Sequence, residues 1–223
     1  MNLDKIVNIL KYTAGFPKSI YVNFRLLPFM EAIRIPIIVS TKTKLSSLRG
    51  EVKLQKVRTG IVRIGFGNVR LVDYSNERTI IHIDGTIVIE GKTKIGKGSK
   101  IEVGKEATLT FGENFLSSAR STIICHRAVT IGKNSLFAWD SLVMDTDYHD
   151  IFDTNDTKIN EDQPIVIEAN VWLGTRTTIL KGAHIPKNSV IAAGSVVAKH
   201  YTQENTIVAG NPAKVVKEAI YWR

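Results

Sequence analysis

One cysteine, Cys125, stands among the 223 residues, so the chain cannot close a disulfide within itself. No apolar run approaches the roughly 18 residues that would cross a bilayer. The opening Met1-Asn2-Leu3-Asp4-Lys5 lacks the basic stretch and apolar core of a secretory leader. Together these absences point to a cytoplasmic protein. Acids are scarce where the chain begins. Residues 1–70 hold three, Asp4, Glu31 and Glu51, against thirteen Lys and Arg, a net +10. The remainder holds eighteen acids and seventeen bases, a net −1, so the formal +9 resides in the N-terminal third. No DNA- or RNA-binding motif accompanies that charge, and nucleic acid is not expected as a partner. Two readings of residues 1–70 stay open: a solvated basic surface, or peripheral contact with an anionic membrane, at its inner face, or with a polyanionic glycan.

What is present in abundance is a period of six. Ile167, Leu173, Ile179, Ile185, Ile191 and Val197 recur at every sixth position, and Val171, Thr177, Ala183, Ser189 and Ser195 follow the first five by four places. Six fits neither an amphipathic helix nor a hairpin and is the mark of a hexapeptide parallel β-helix. The aliphatic residue points into a triangular prism, and the small residue fits inward near a corner. Upstream, Ile83, Ile89, Ile95 and Ile101 keep the frame with Ile87, Thr93 and Ser99, as do Ile131, Phe137 and Val143 with Ser135 and Ser141. Between Lys105 and Thr130, Val103, Leu109, Phe111 and Ile123 compete for the inward place, which predicts a local irregularity. Cys125 lies six before Ile131 and reads as core.

The fold class is therefore an all-β solenoid with an irregular, partly helical N-terminal segment and a short C-terminal helix. The organisation expected is a basic segment over residues 1–50, the prism over 51–210 and a helix over 211–223. Leu3, Ile6, Val7 and Leu10 share a helical face that Gly15 and Pro17 would end. Ile20, Val22 and Phe24 alternate, and Ile35 to Val39 reads as a strand. Residues 16–30 mix aromatics with Lys18 and Arg25, as an interfacial segment does; packing against the first coil or a neighbouring subunit is the competing reading. A polar run over 144–164 breaks the hexads and reads as a loop thrown out from the prism, where function concentrates.

That loop holds His149, within Met144-Asp-Thr-Asp-Tyr-His-Asp150. A carboxylate bonded to one ring nitrogen fixes the tautomer and raises the basicity of the other, as a general base requires. Asp147 is the candidate for that partner. A solvated histidine in an acidic turn is the plain alternative.

Beyond the loop come Asn170-Val-Trp172-Leu-Gly174, Ala192-Ala-Gly-Ser195 and Val208-Ala-Gly-Asn-Pro-Ala-Lys214. With the hexads and the His149 loop, these make the chain resemble the hexapeptide-repeat acyltransferases over roughly residues 80–217. Its pattern is closest to the polysaccharide and sugar O-acetyltransferases, left-handed β-helix enzymes that use acetyl-CoA. The left-handed coil departs from the usual right-handed crossover. Carried over residue by residue, the resemblance implies that His149 is the catalytic base and that Trp172 lies beside the pantetheine arm. It implies that Thr175, Ala193 and Lys199 line that arm and that Lys214 and Lys217 meet CoA phosphates. Trp139, Asp140 and Tyr148 stand where a sugar could be stacked and hydrogen-bonded; core or corner packing is the alternative for Trp139. The galactoside and maltose enzymes carry proline straight after the histidine, where this chain has Asp150. Their N-terminal helical region is not recognisable in residues 1–60, which sets the simple-sugar role aside.

The resemblance implies a homotrimer with sites between neighbours, a carbohydrate acceptor, and direct transfer from acetyl-CoA without a metal or covalent enzyme intermediate. Three alternatives are weighed. A zinc lyase on this fold needs a close histidine pair plus a third histidine, and His126, His149 and His184 lie on separate segments. An N-acyltransferase on an amino sugar nucleotide would use the same base. A non-catalytic scaffold would not need both His149 and Trp172.

Overall fold

The computed structural model of the protein describes residues 14–67, 69 and 76–222. It is a left-handed parallel β-helix whose strands stack into three sheets, the faces of a prism. Face A has nine strands, from Ile37–Val39 through Trp172–Leu173 to Ala213–Lys217. Face B has seven, from Thr43–Leu48 to Val196–Val197, and face C six, from Glu51–Leu54 to His184–Ile185. Among the described residues the faces begin at Ile37, so residues 37–50, expected in the N-terminal segment, already contribute to the first coil.

The aliphatic series does what its period requires. Ile167, Leu173, Ile179, Ile185, Ile191 and Val197 are each 0% exposed, and Val171, Thr177, Ala183, Ser189 and Ser195 are buried beside them. Parallel pairing stacks like on like: Ile131 on Ile167, Ile167 on Ile185, Phe137 on Leu173, Leu173 on Ile191.

The irregularity expected between Lys105 and Thr130 is absent. Leu109, Phe111, Ile123, Cys125, Val129 and Ile131 are all buried in unbroken ladders. Ile89 pairs with Phe111, Phe111 with Ile131, Ile131 with Ile167 and Ile167 with Ile185, steps of 22, 20, 36 and 18 residues. Only the last coil type is a multiple of six without an excursion. In the wider coils the strands are longer, as in Thr108–Phe111 and Phe115–Ala119 against Trp172–Leu173 and Val190–Ile191, so the six-residue phase slips while the stacking stays regular. Phe111, Phe115 and Phe137 fill that wider section, with successive ring centroids 4.8 and 5.0 Å apart.

Corners are made by left-handed residues. Asn114, Asn134, Asn170, Asn188 and Asn205 all have φ between 58° and 62° at the corner from face C to face A. Asparagine tolerates that conformation better than most residues. Its amides also form ladders between coils, Asn170 to Asn188 and Asn188 to Asn205 at 2.9 Å each.

The N-terminal end is closed by helix α1, Phe16–Leu26, followed by the short α2, Phe29–Ala32. The alternation of Ile20, Val22 and Phe24 is thus part of a helix. Pro17 sits in the first turn, where its missing N–H costs nothing, so Gly15 and Pro17 open a helix here. The helix suggested over Leu3 to Leu10 lies outside the described residues. Asn23 donates to the Ile37 carbonyl at 2.7 Å and accepts from the Ile37 N–H at 3.0 Å, and the Val39 N–H donates to Ser19 at 3.0 Å. These two side chains replace the missing neighbour of the first strand on face A.

The C-terminal helix expected over 211–223 is a strand instead. Ala213–Lys217 runs antiparallel to Ile207–Gly210, folded back by the Gly210-Asn211-Pro212 turn. Val215 packs against the core from that strand, a role its β-branched side chain suits.

Candidate active site

The excursion over 145–164 is tied to the prism at its root. Asp145 is 0% exposed, and its carboxylate accepts the N–H groups of His126, Arg127 and Ala128 at 2.7, 2.9 and 2.8 Å. Three donors on one carboxylate fix where the loop departs from the corner between faces B and C. Tyr148 turns through φ 60° and sets its ring edge-on to His126, centroids 4.9 Å apart. His126 in turn meets Glu102 at 3.0 Å. Burial, with the Glu102 charge nearby, pushes the Tyr148 hydroxyl up to about 12, so it stays protonated at neutral pH. Tyr148 thus acts as a strut from the loop to the preceding coil.

His149 follows that strut with its side chain exposed. Its carbonyl accepts from the Asn160 amide at 2.8 Å, and the Asn160 oxygen accepts the Ile151 N–H at 2.7 Å. The loop's two limbs are therefore clasped around the histidine. Asp147 does not orient the imidazole. It is bound by Lys181 and by Asn160, and the Lys181 ammonium, then Asn160, hold its carboxyl below the usual range. Asp150 pairs with Lys158 at 2.9 Å. All three neighbouring carboxylates are engaged away from the ring, contrary to the expectation for Asp147.

The other sequence candidates fall into two groups. Trp139, Thr175 and Ala193 stack in a column at the corner between faces A and B. The Arg176 N–H reaches the Trp139 carbonyl at 3.1 Å, and the Gly194 N–H reaches Thr175 at 2.9 Å. Asp140, at the same corner, is held by Arg120 in a two-pronged pair at 2.7 and 2.9 Å, with Glu77 at 3.6 Å from the same guanidinium. That carboxylate stabilises the corner and is not presented to a sugar. On face A, Trp172 points outward, 38% exposed, and pairs with Leu136 and Val190. Lys214 lies opposite Ala209 and Lys217 opposite Ile207, with a bulge between. Ile207 and Ala209 share a face, and cross-strand partners share a face, so both lysines point outward together. Lys199 stands at the His149 corner, its ammonium 5.1 Å from the Tyr201 ring centroid.

Face B therefore separates His149 and Lys199 from Trp139, Thr175 and Ala193. One chain does not bring the imidazole to that column. Burial and the nearby Asp145 charge push the Cys125 thiol up, in keeping with a core residue and not a nucleophile.

Several residues carry the site without having been singled out. Lys181 and Asn160 hold the loop. Trp222 leans on Trp172, centroids 6.0 Å apart, with its indole N–H on the Asn170 carbonyl at 2.8 Å. A close histidine pair also exists: His184 meets His200 at 2.6 Å and Glu168 at 2.8 Å. Their 16-residue spacing, near one coil, was the available signal. Among the described residues no three His, Cys, Asp or Glu group as metal ligands.

Residues 164–199 match the family described as hexapeptide repeat of succinyl-transferase. The chain is 30% identical over 169 residues to the putative lipopolysaccharide biosynthesis O-acetyl transferase WbbJ of Escherichia coli, covering 71% of this chain and 83% of that protein. The structure is similar to that of the polySia-specific acetyltransferase NeuO, with a TM-score of 0.53 and 25% identity over 84% of this chain and 78% of that one. It is also similar to a hexapeptide-repeat acetyltransferase of Vibrio cholerae solved in complex with acetyl coenzyme A. There the TM-score is 0.50 and the identity 26%, over 59% of this chain and 70% of that one.

Proposed function

The chain belongs to the hexapeptide-repeat acetyltransferases, and from that premise we propose that it transfers an acetyl group from acetyl-CoA to a sugar hydroxyl of a surface polysaccharide or its precursor. The observation that carries this reading is His149, exposed on the one excursion that interrupts the C-terminal coils and clasped in place by Asn160 and Tyr148. The names of its relatives, one an O-acetyl transferase of lipopolysaccharide biosynthesis and one a polySia-specific acetyltransferase, support a carbohydrate polymer or its building block.

Both substrates would be bound together. The His149 imidazole takes the proton of the acceptor hydroxyl as its oxygen attacks the thioester carbonyl. The C–O bond forms, the C–S bond breaks, and the imidazolium returns the proton to the departing thiolate. A backbone N–H of the Trp172 coil steadies the oxyanion. Asp147 keeps Lys181 and the loop in position and does not touch the imidazole.

Because face B separates His149 from the Thr175–Ala193 column, the complete site takes one group from each of two chains. A trimer of parallel prisms sets His149 of one chain against Trp139, Thr175, Ala193 and Trp172 of its neighbour. Lys214 and Lys217, outward on the same face as Trp172, are then the phosphate partners of CoA.

The test is a panel of acidic and neutral polysaccharides, lipid-linked saccharides and nucleotide sugars incubated with acetyl-CoA, followed by free thiol release. The expected product is an alkali-labile acetyl ester. An alkali-stable acetamide would replace this reading with N-acetylation of an amino sugar, and no thiol release above the hydrolytic background with any acceptor would remove it.

A further inference from the structure

The end of the prism closed by α1 carries a surface that acetyl transfer does not use. α1 turns Ser19, Val22, Asn23 and Leu26 inward. Its opposite side and α2 leave Tyr21, Phe24, Phe29, Met30 and Ile33 between 46% and 68% exposed. The Phe24 and Phe29 rings lie 5.8 Å apart, and helical spacing sets Tyr21 beside Phe24 and Ile33 one turn from Phe29, so these side chains cluster and are not scattered singly. Surface apolar residues scattered singly need no explanation, whereas a cluster of this size marks a contact.

The charge around the patch says of what kind. Residues 14–50 hold six Lys and Arg and one acid, Glu31. Arg25, Arg34, Lys42 and Lys44 are exposed. Lys18 is held by the Thr41 and Thr43 carbonyls at 2.7 Å each and belongs to the fold. Two copies meeting patch to patch about a two-fold axis would set Arg25 and Arg34 against like charges. An acidic glycan in water would meet the cations and stack on the Tyr21, Phe24 or Phe29 rings but leave the aliphatic Met30 and Ile33 wet. An anionic bilayer satisfies both, with apolar side chains at the headgroup–acyl boundary and guanidinium groups among the phosphates.

We propose that this end face is a peripheral docking surface for an anionic lipid bilayer. The surface is preformed, because Ser19 and Asn23 bind α1 to the edge of the first strand. The Trp172–Leu173 strand lies five strands along face A from Ile37–Val39. At about 4.8 Å per strand, the catalytic coils stand roughly 24 Å from the docked end along the prism axis, within reach of a glycan carried on lipid.

The full chain would be sedimented with phosphatidylcholine vesicles, with and without phosphatidylserine. Binding is expected with phosphatidylserine and should fall as salt rises. Arg25→Gln with Arg34→Gln should weaken it roughly 30-fold, the effect of two interfacial cations. Phe24→Ser, Phe29→Ser and Met30→Ser together should abolish it. Both variants should keep the thermal midpoint and acetyl transfer to a soluble acceptor, which separates this proposal from the catalytic one. Absence of vesicle binding, or binding indifferent to both variants, would overturn it. So would self-association, or binding to acidic glycan alone, that the substitutions remove while vesicles stay unbound.

Discussion

Replacing Asp145 by alanine should uncouple the loop that carries His149 from the prism. The carboxylate is fully buried and accepts three successive N–H groups, at 2.7, 2.9 and 2.8 Å, from the corner that joins two strands of the preceding coil. A hydrogen bond to a charged group contributes about 1.5–3 kcal/mol, so three lost together set an upper range of about 4.5–9 kcal/mol. Arg127 is exposed and His126 and Ala128 only half-buried, so water will recover part of this. An expected loss of about 3–4 kcal/mol remains. At about 2–4 °C per kcal/mol for a chain of this length, Tm should fall by roughly 10 °C. Asp145→Asn keeps the volume but turns an NH2 toward one of the donors, and should cost about half as much. Thermal melts give the magnitude, and hydrogen exchange at the amides of residues 126–128 gives the place. Unchanged protection there, with Tm within about 2 °C of the parent, would refute the assignment of Asp145 as the anchor.

Asp140→Asn should lower Tm by a few degrees without changing acceptor KM, since Asp140 holds Arg120; a selective rise in KM would return it to the sugar site. Lys214→Glu with Lys217→Glu should weaken acetyl-CoA binding about tenfold or more by calorimetry, with folding intact; unchanged affinity would place the phosphates elsewhere. The folded Asp147 carboxyl is depressed, so its contribution is present above its unfolded value, near about 4, and is lost as pH falls through the lower folded value. Loop order followed by NMR should therefore persist from neutral pH to below about 4, and Lys181→Met should move its loss to higher pH; loss of order near pH 6 would contradict this.

The C-terminal coils were legible because their steps are 18 residues and their inward positions keep one phase, as Ile167 to Val197 demonstrate. Upstream the same physics was hidden by coils of 22 and 20 residues, which stack as regularly but shift the phase. Gly15 and Pro17 are punctuation of either sign; only packing against the first coil shows that they open a helix. Ala213–Lys217 is equally ambiguous, and the turn at Pro212 decides for a strand. At the site, the position of His149 was readable from the broken hexads. Its partners were not, because nearness in sequence does not choose a rotamer. Asp147, two residues away, is bound by Lys181 from the next coil, and Trp222 reaches Trp172 across the outside of face A.

The central claim rests on one imidazole. Turnover of acetyl-CoA by His149→Ala, measured by free thiol release with the best acceptor and compared with the parent at equal acetyl-CoA affinity, tests it most directly. Loss of a general base predicts a fall of about 10²–10⁴-fold with the fold, assembly and CoA binding unchanged. Near-normal turnover by that variant would contradict the account.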